Sequence, residues 1–123
     1  MDIFISEEEA FEEVIPRRKG RFNFPAVRFF KSYRTVMAYF NKYATPMLAD
    51  AERAQVKISR RFIVFLPSNS RLDNRFTKNS RHTASLSVGS LIGIVPDGAA
   101  FRCYPYKGGI AIKRDEPILD DAE

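Results

Sequence analysis

The chain has one cysteine, one histidine and no tryptophan among its 123 residues. A lone thiol makes no internal disulfide, so the fold is expected to rest on packing alone, in a reducing compartment such as the cytoplasm. Cys103, between Arg102 and Tyr104, reads as a structural thiol in a strand. One Cys and one His do not supply a zinc site of the usual kind. His82 lies beside Arg81 in a polar stretch, with no acid near it in sequence to complete a nucleophilic triad. Glycine-rich phosphate loops of either standard form are lacking. No apolar run nears the roughly 20 residues of a bilayer-crossing helix. The start, Met1-Asp2-Ile3-Phe4-Ile5-Ser6-Glu7, lacks the basic opening and apolar middle of a signal peptide. The expectation is therefore a non-enzyme with no cofactor, no metal and no membrane segment.

Acidic residues are scarce too, but only in the middle of the chain. Asp2, Glu7, Glu8, Glu9, Glu12 and Glu13 fall in residues 1–16, and Asp115, Glu116, Asp120, Asp121 and Glu123 in residues 115–123. Neither end carries a base. Asp50, Glu52, Asp73 and Asp97 are the acids left for residues 17–114, which hold all 20 Lys and Arg, so this body carries 20 − 4 = +16 although the whole chain is +5. A charge of that size attracts polyanions over a long range, with the salt dependence of counterion release. Arg outnumbers Lys, and its planar fork suits phosphate. Four scattered acids are a poor basis for two-metal phosphoryl chemistry. Pro96-Asp97 is similar to the start of a metal-nuclease motif, but no acid-x-Lys follows it.

Three stretches emerge: an acidic N-terminal segment (1–16), a basic globular domain (17–114) and an acidic C-terminal tail (115–123). In the first, Ser6-Glu7-Glu8-Glu9 has the form of a capping box, and Ala10, Phe11, Val14 and Ile15 recur at helical spacing. A short helix ending at Pro16 is expected, with Phe11, Val14 and Ile15 as a face for a protein partner. Arg17, Arg18 and Lys19 open the densest basic run, a candidate phosphate-touching arm. Phe22, Phe24, Val27 and Phe29, interrupted by Pro25, suggest an extended edge segment. From Tyr33 to Ala51 the apolar spacing predicts a main helical segment over about 32–52, interrupted at Pro46, where Thr45 would cap a second short helix. The rival reading makes Arg34 to Tyr39 a strand and starts the helix at Asn41.

Alternating Ala54, Val56 and Ile58, then Arg60-Arg61, then Phe62 to Pro67 predict one β-hairpin. Phe101 to Tyr106 and Ile110 to Ile112 around Lys107-Gly108-Gly109 predict another. Residues 68–83 read as a polar loop bearing Arg71, Arg75, Lys78 and Arg81, residue types that contact phosphate, with Phe76 placed to stack on a base. The fold class expected is α+β: a small sheet-rich domain with two β-hairpins, the helical segment near 32–52 and the short N-terminal helix.

A shift of 47 roughly superposes the two halves, placing Ile63 on Ile110, Phe65 on Ile112, Val56 on Cys103, Asp50 on Asp97, Leu48 on Val95 and Ala44 on Leu91. An internal repeat is expected, each half an apolar or helical segment, an acidic turn and a hairpin. Arg60-Arg61-Phe62-Ile63-Val64-Phe65-Leu66-Pro67 followed by Arg71 resembles the R-x-I-x-I-P…R opening of AbrB-like transcription regulators. Leu86-Ser87-Val88-Gly89-Ser90-Leu91-Ile92-Gly93-Ile94 is similar to their L-x-x-G-D-x-V-x-I segment, with Ser90 at the Asp position. The resemblance covers about residues 54–114. It implies an intertwined homodimer with basic strands and loops against DNA, contacted by Arg60, Arg61 and Arg71.

Together these features predict a non-catalytic nucleic-acid-binding regulator, with DNA preferred over RNA. The alternative is a small phage-type inhibitor or interaction protein that binds a nucleic-acid-processing machine through the N-terminal helix.

Overall fold

The computed structural model describes residues 3–11, 22–48, 50–78 and 83–119. Ten strands run in chain order: β1 (Ala26–Ser32), β2 (Thr35–Phe40), β3 (Arg53–Ile58), β4 (Phe62–Ser68), β5 (Asn74–Lys78), β6 (Ala84–Ser87), β7 (Ala100–Arg102), β8 (Tyr104–Tyr106), β9 (Gly109–Lys113) and β10 (Pro117–Ile118). They pair antiparallel in the order β10-β7-β1-β2-β6-β5-β3-β4-β9-β8 and curl into a half-barrel. β7 and β8 stand at or near opposite ends of that order, yet Cys103 alone separates them in the chain. One bent stretch thus ties the two ends of the sheet together, and the buried Cys103 is its corner, its N–H donating to Pro25 O (2.9 Å).

The fold is not α+β. In place of a main helix over 32–52 the chain forms β2 and a four-residue 3₁₀ turn, Thr45–Leu48. Val36, Ala38 and Phe40 alternate inward and are buried, a period of two that the sequence offered alongside the helical one. Tyr33, at φ 42°, turns the chain back tightly, and β2 then finds partners on both sides, β1 and β6. The rival reading had the strand in nearly the right place. Asn41 then ends it: its Oδ1 accepts from the N–H groups of Ala26 (3.2 Å), Tyr43 (3.1 Å) and Ala44 (2.9 Å), and its Nδ2 donates to Phe24 O (2.8 Å). Those bonds satisfy a turn where a helix was expected to begin.

The N-terminal helix is corrected as well. Residues 6–9 make one isolated turn, with Ser6 Oγ accepting from the Glu8 N–H (3.2 Å) and Ser6 O from the Glu9 N–H (3.0 Å), and residues 3–11 are exposed. The rest of that segment, including Val14 and Ile15, lies outside the described residues. β1 is extended as expected but is not an edge, since it lies between β7 and β2. The polar stretch 68–83 is not one loop, because β5 occupies its centre.

Both hairpins are present, β3–β4 about Ser59-Arg60-Arg61 and β8–β9 about Lys107-Gly108. The halves also repeat. Adding 47 turns the pairs Lys57↔Val64 and Ile58↔Ile63 into Tyr104↔Ala111 and Pro105↔Ile110. The same offset relates Val27↔Phe101 and Arg28↔Ala100, between β1 and β7, to Asn74↔Ala54 and Arg75↔Arg53, between β5 and β3. For β2 and β6 the offset is 48, matching buried Val36, Ala38 and Phe40 with buried Ala84, Leu86 and Val88. The halves interlock, since β1 of one pairs with β7 of the other and β5 with β3, while β2 meets β6 and β4 meets β9. Neither half buries its apolar face alone. Between them sits one aromatic core, in which Phe40 packs edge-on against Phe65 (5.1 Å) and Phe76 (6.0 Å), and Phe29 contacts Phe65 and Phe101.

Candidate nucleic-acid interface

Strand alternation decides which side chains reach solvent. In β4, Ile63 and Phe65 point into the core, so Phe62, Val64 and Leu66 face outward. Register then sets their neighbours: Lys57, Val64, Ala111 and Tyr104 form one row across β3, β4, β9 and β8, and Phe62 stands opposite Lys113. Tyr106 stands opposite Gly109, which offers no side chain to cover it. The outcome is a groove of about 500 Å³ on the outer face, with Val64 and Ala111 in its floor and Lys57, Ile58, Phe62 and Tyr106 around it.

Three aromatic rings on this face are left part-exposed: Phe62 (38 %), Tyr104 (37 %) and Tyr106 (40 %). Each has a cation over it. Arg61 stands 5.8 Å from the Phe62 ring centre, Lys113 5.0 Å from that of Tyr104, and Lys107 5.4 Å from that of Tyr106. Lys113 also meets Glu116 at 3.4 Å, the one ion pair formed between two described residues. The remaining positive charge on this face has no carboxylate against it among the described residues.

The expected site residues are dispersed. Arg60 and Arg61 sit together at the β3–β4 turn, where the Arg114 N–H donates to Arg61 O (2.8 Å) and Arg114 Nη1 to Ser59 O (2.7 Å). Arg71 follows the opposite end of the seven-residue β4, about 20 Å away at strand rise. Arg75 projects from β5 directly opposite Arg53 on β3, and Lys78 ends β5. Arg17, Arg18, Lys19 and Arg81 lie outside the described residues. Phe11 is exposed. Phe76 is no base-stacking residue, since it is buried against Phe40.

Sequence reasoning missed Tyr104, Tyr106, Phe62, Lys57, Lys107 and Lys113 as a group, and Arg53 beside Arg75. The aromatic pair two apart on a strand beside a glycine turn was the available signal. Arg53 Nη1 donates to Asp73 O (2.9 Å), while the strand register sets Arg53 directly opposite Arg75. Asp97 Oδ1 accepts from the Lys31 N–H (2.8 Å), and Asp73 pairs with the Ser68 hydroxyl. Among the described residues no group of three or more His, Cys, Asp or Glu could hold a metal ion, and no helix is long and apolar enough to cross a membrane. Burial pushes the Cys103 thiol from 9.0 up to about 12, so it is no nucleophile at neutral pH.

No protein-family model, curated protein or solved structure matches this chain.

Proposed function

We propose that this chain is a non-catalytic regulatory protein that binds nucleic acid through its basic body, with the outer face of β3, β4, β9 and β8 as its principal contact surface. The observation that carries the reading is the pairing of exposed aromatic rings with cations on that one face, of which Arg61 and Lys107 meet no carboxylate among the described residues. Rings offer sequence-tolerant stacking, and the cations offer phosphate neutralisation. The Arg53–Arg75 pair supports it independently, because like charges directly opposite on neighbouring strands repel until an anion lies between them. The resemblance to AbrB-like regulators points the same way. The intertwining it implies for two chains has a counterpart here in the interlocked halves of one chain. DNA is the preferred target on that resemblance, and a homodimer is not needed to complete the face.

Fluorescence anisotropy with duplex DNA, single-stranded DNA and structured RNA, each across a salt titration, tests the proposal. Tight binding with a steep negative salt slope is expected. Absence of binding to all three at low salt would overturn it.

A second reading rests on a separate observation. Ile3, Phe4, Ile5 and Phe11 are large apolar side chains left in solvent beside Glu7, Glu8 and Glu9. Such a segment suits a protein partner, and makes the chain an inhibitor or adaptor of a nucleic-acid-processing machine. Capture of that machine that survives high salt and is lost on Phe11→Ala would favour this reading.

A further inference from the structure

We propose that the groove between Phe62 and Tyr106 is a track for single-stranded nucleic acid, with unpaired bases stacked on Phe62, Tyr104 and Tyr106 and phosphates on Lys57, Lys107 and Arg61. The inference rests on the nucleic-acid reading above and names which form of nucleic acid this face takes.

Three features separate a single strand from a duplex. Ring faces contribute to binding only when a base face is free to meet them, and in a duplex the bases are already stacked. Tyr104 and Tyr106, two residues apart on β8, are spaced by about 7 Å along the strand. That is twice the roughly 3.4 Å repeat of a stacked nucleotide strand, so alternate bases come into register with successive rings. The floor is low because Ala111 has only a methyl side chain, which lets flat groups approach the sheet.

Internal symmetry sharpens the point. The offset of 47 pairs Phe62 with Gly109, Ser59 with Tyr106 and Lys57 with Tyr104. The core positions keep their apolar character between halves, whereas these outward positions do not. Tyr106 on one side and Lys57 with Phe62 on the other turn a pseudo-symmetric face into a groove with two different walls, and Tyr104 extends the ring-bearing side along β8. Charge selects the occupant. Lys57, Arg61 and Lys107 flank the groove, and the Glu116 carboxylate is engaged by Lys113.

The test uses the full chain with 20-nucleotide oligo(dT), oligo(rU) and a duplex of the same length. The single strands are expected to bind more tightly than the duplex. Tyr104→Ala with Tyr106→Ala should weaken single-strand binding roughly 30-fold or more, and weaken duplex binding much less. Tyr104→Phe with Tyr106→Phe keeps both ring faces and should bind as the parent does. Ultraviolet crosslinking of oligo(dT) to the unaltered chain should map to residues 57–64 and 102–114. Equal single-strand affinity in the alanine variant, or crosslinks confined to other segments, would overturn the inference. Steep salt-dependent duplex binding with either result would leave the broader reading standing, and no binding by any probe would remove both.

Discussion

Gly109 lies so close against the Phe65 carbonyl that a methyl group at its Cα would overlap that oxygen and stand 2.9 Å from Pro67 Cδ. Here β9 runs antiparallel beside β4, and the Gly109 backbone meets the Phe65 carbonyl and the Pro67 ring. Gly109→Ala must therefore displace a core strand rather than a flexible tip. A loss of about 2–3 kcal/mol in denaturant unfolding is expected, with a lower melting temperature. An unchanged midpoint would show that β9 does not approach β4 this closely.

Cys103 gives the fold a dependence on alkaline pH. Its thiol is favoured neutral in the folded chain, where burial raises it to about 12, while the unfolded chain ionises near 9.0. The folded state then holds the extra proton, so this contribution is complete below pH 9 and is lost as pH rises from 9 towards 12. Urea unfolding at pH 8 and pH 10.5 should show a fall in stability that is smaller in Cys103→Ala. Native protein should react with a thiol reagent at pH 8 only as fast as it unfolds. Reaction within seconds would contradict the burial.

Arg75 faces Arg53 across β5 and β3, and removing it separates binding from folding. Arg75→Ala relieves a like-charge contact and keeps the Arg53 bond to Asp73 O. The melting temperature should hold or rise slightly, while the slope of log affinity against log salt for nucleic acid falls by about one. A full salt slope would place the phosphates elsewhere.

On the nucleic-acid reading, the acidic N-terminal stretch is expected to compete for the same basic surface. Deleting residues 1–16 removes six acids and no base, taking the net charge from +5 to +11. Nucleic-acid binding at low salt should tighten several-fold, with the difference shrinking as salt rises. Unchanged affinity at low salt would argue that these acids serve a protein partner instead.

Both hairpins were legible because alternation over six or seven residues around a turn has few rival explanations. The repeat was legible at its core positions, where Ile63 and Ile110, or Ala44 and Leu91, do the same job in each half. The segment 33–40 was not, because Val36, Met37 and Phe40 fit a helical face as well as Val36, Ala38 and Phe40 fit a strand. Phe76 was misread for a related reason. A single apolar residue among polar ones looks like a loop with an exposed ring, and also like a five-residue strand with one inward position.

By itself the sequence determined the charge layout, the lack of an internal disulfide and the spacing of the hairpins, since these depend on residue identity and short-range pattern. Only the tertiary structure decided that 35–40 is a strand, that Phe76 is core, and that Phe62, Tyr104 and Tyr106 share a face. Each of those outcomes depends on which distant strand supplies the hydrogen bonds. Pairings such as β2 with β6 and β4 with β9 join residues 44 to 51 apart in the chain (Phe40 with Ala84, Met37 with Ser87, Phe62 with Lys113). Local propensity carries no record of such a partner, because the register is fixed only when both halves close on one core.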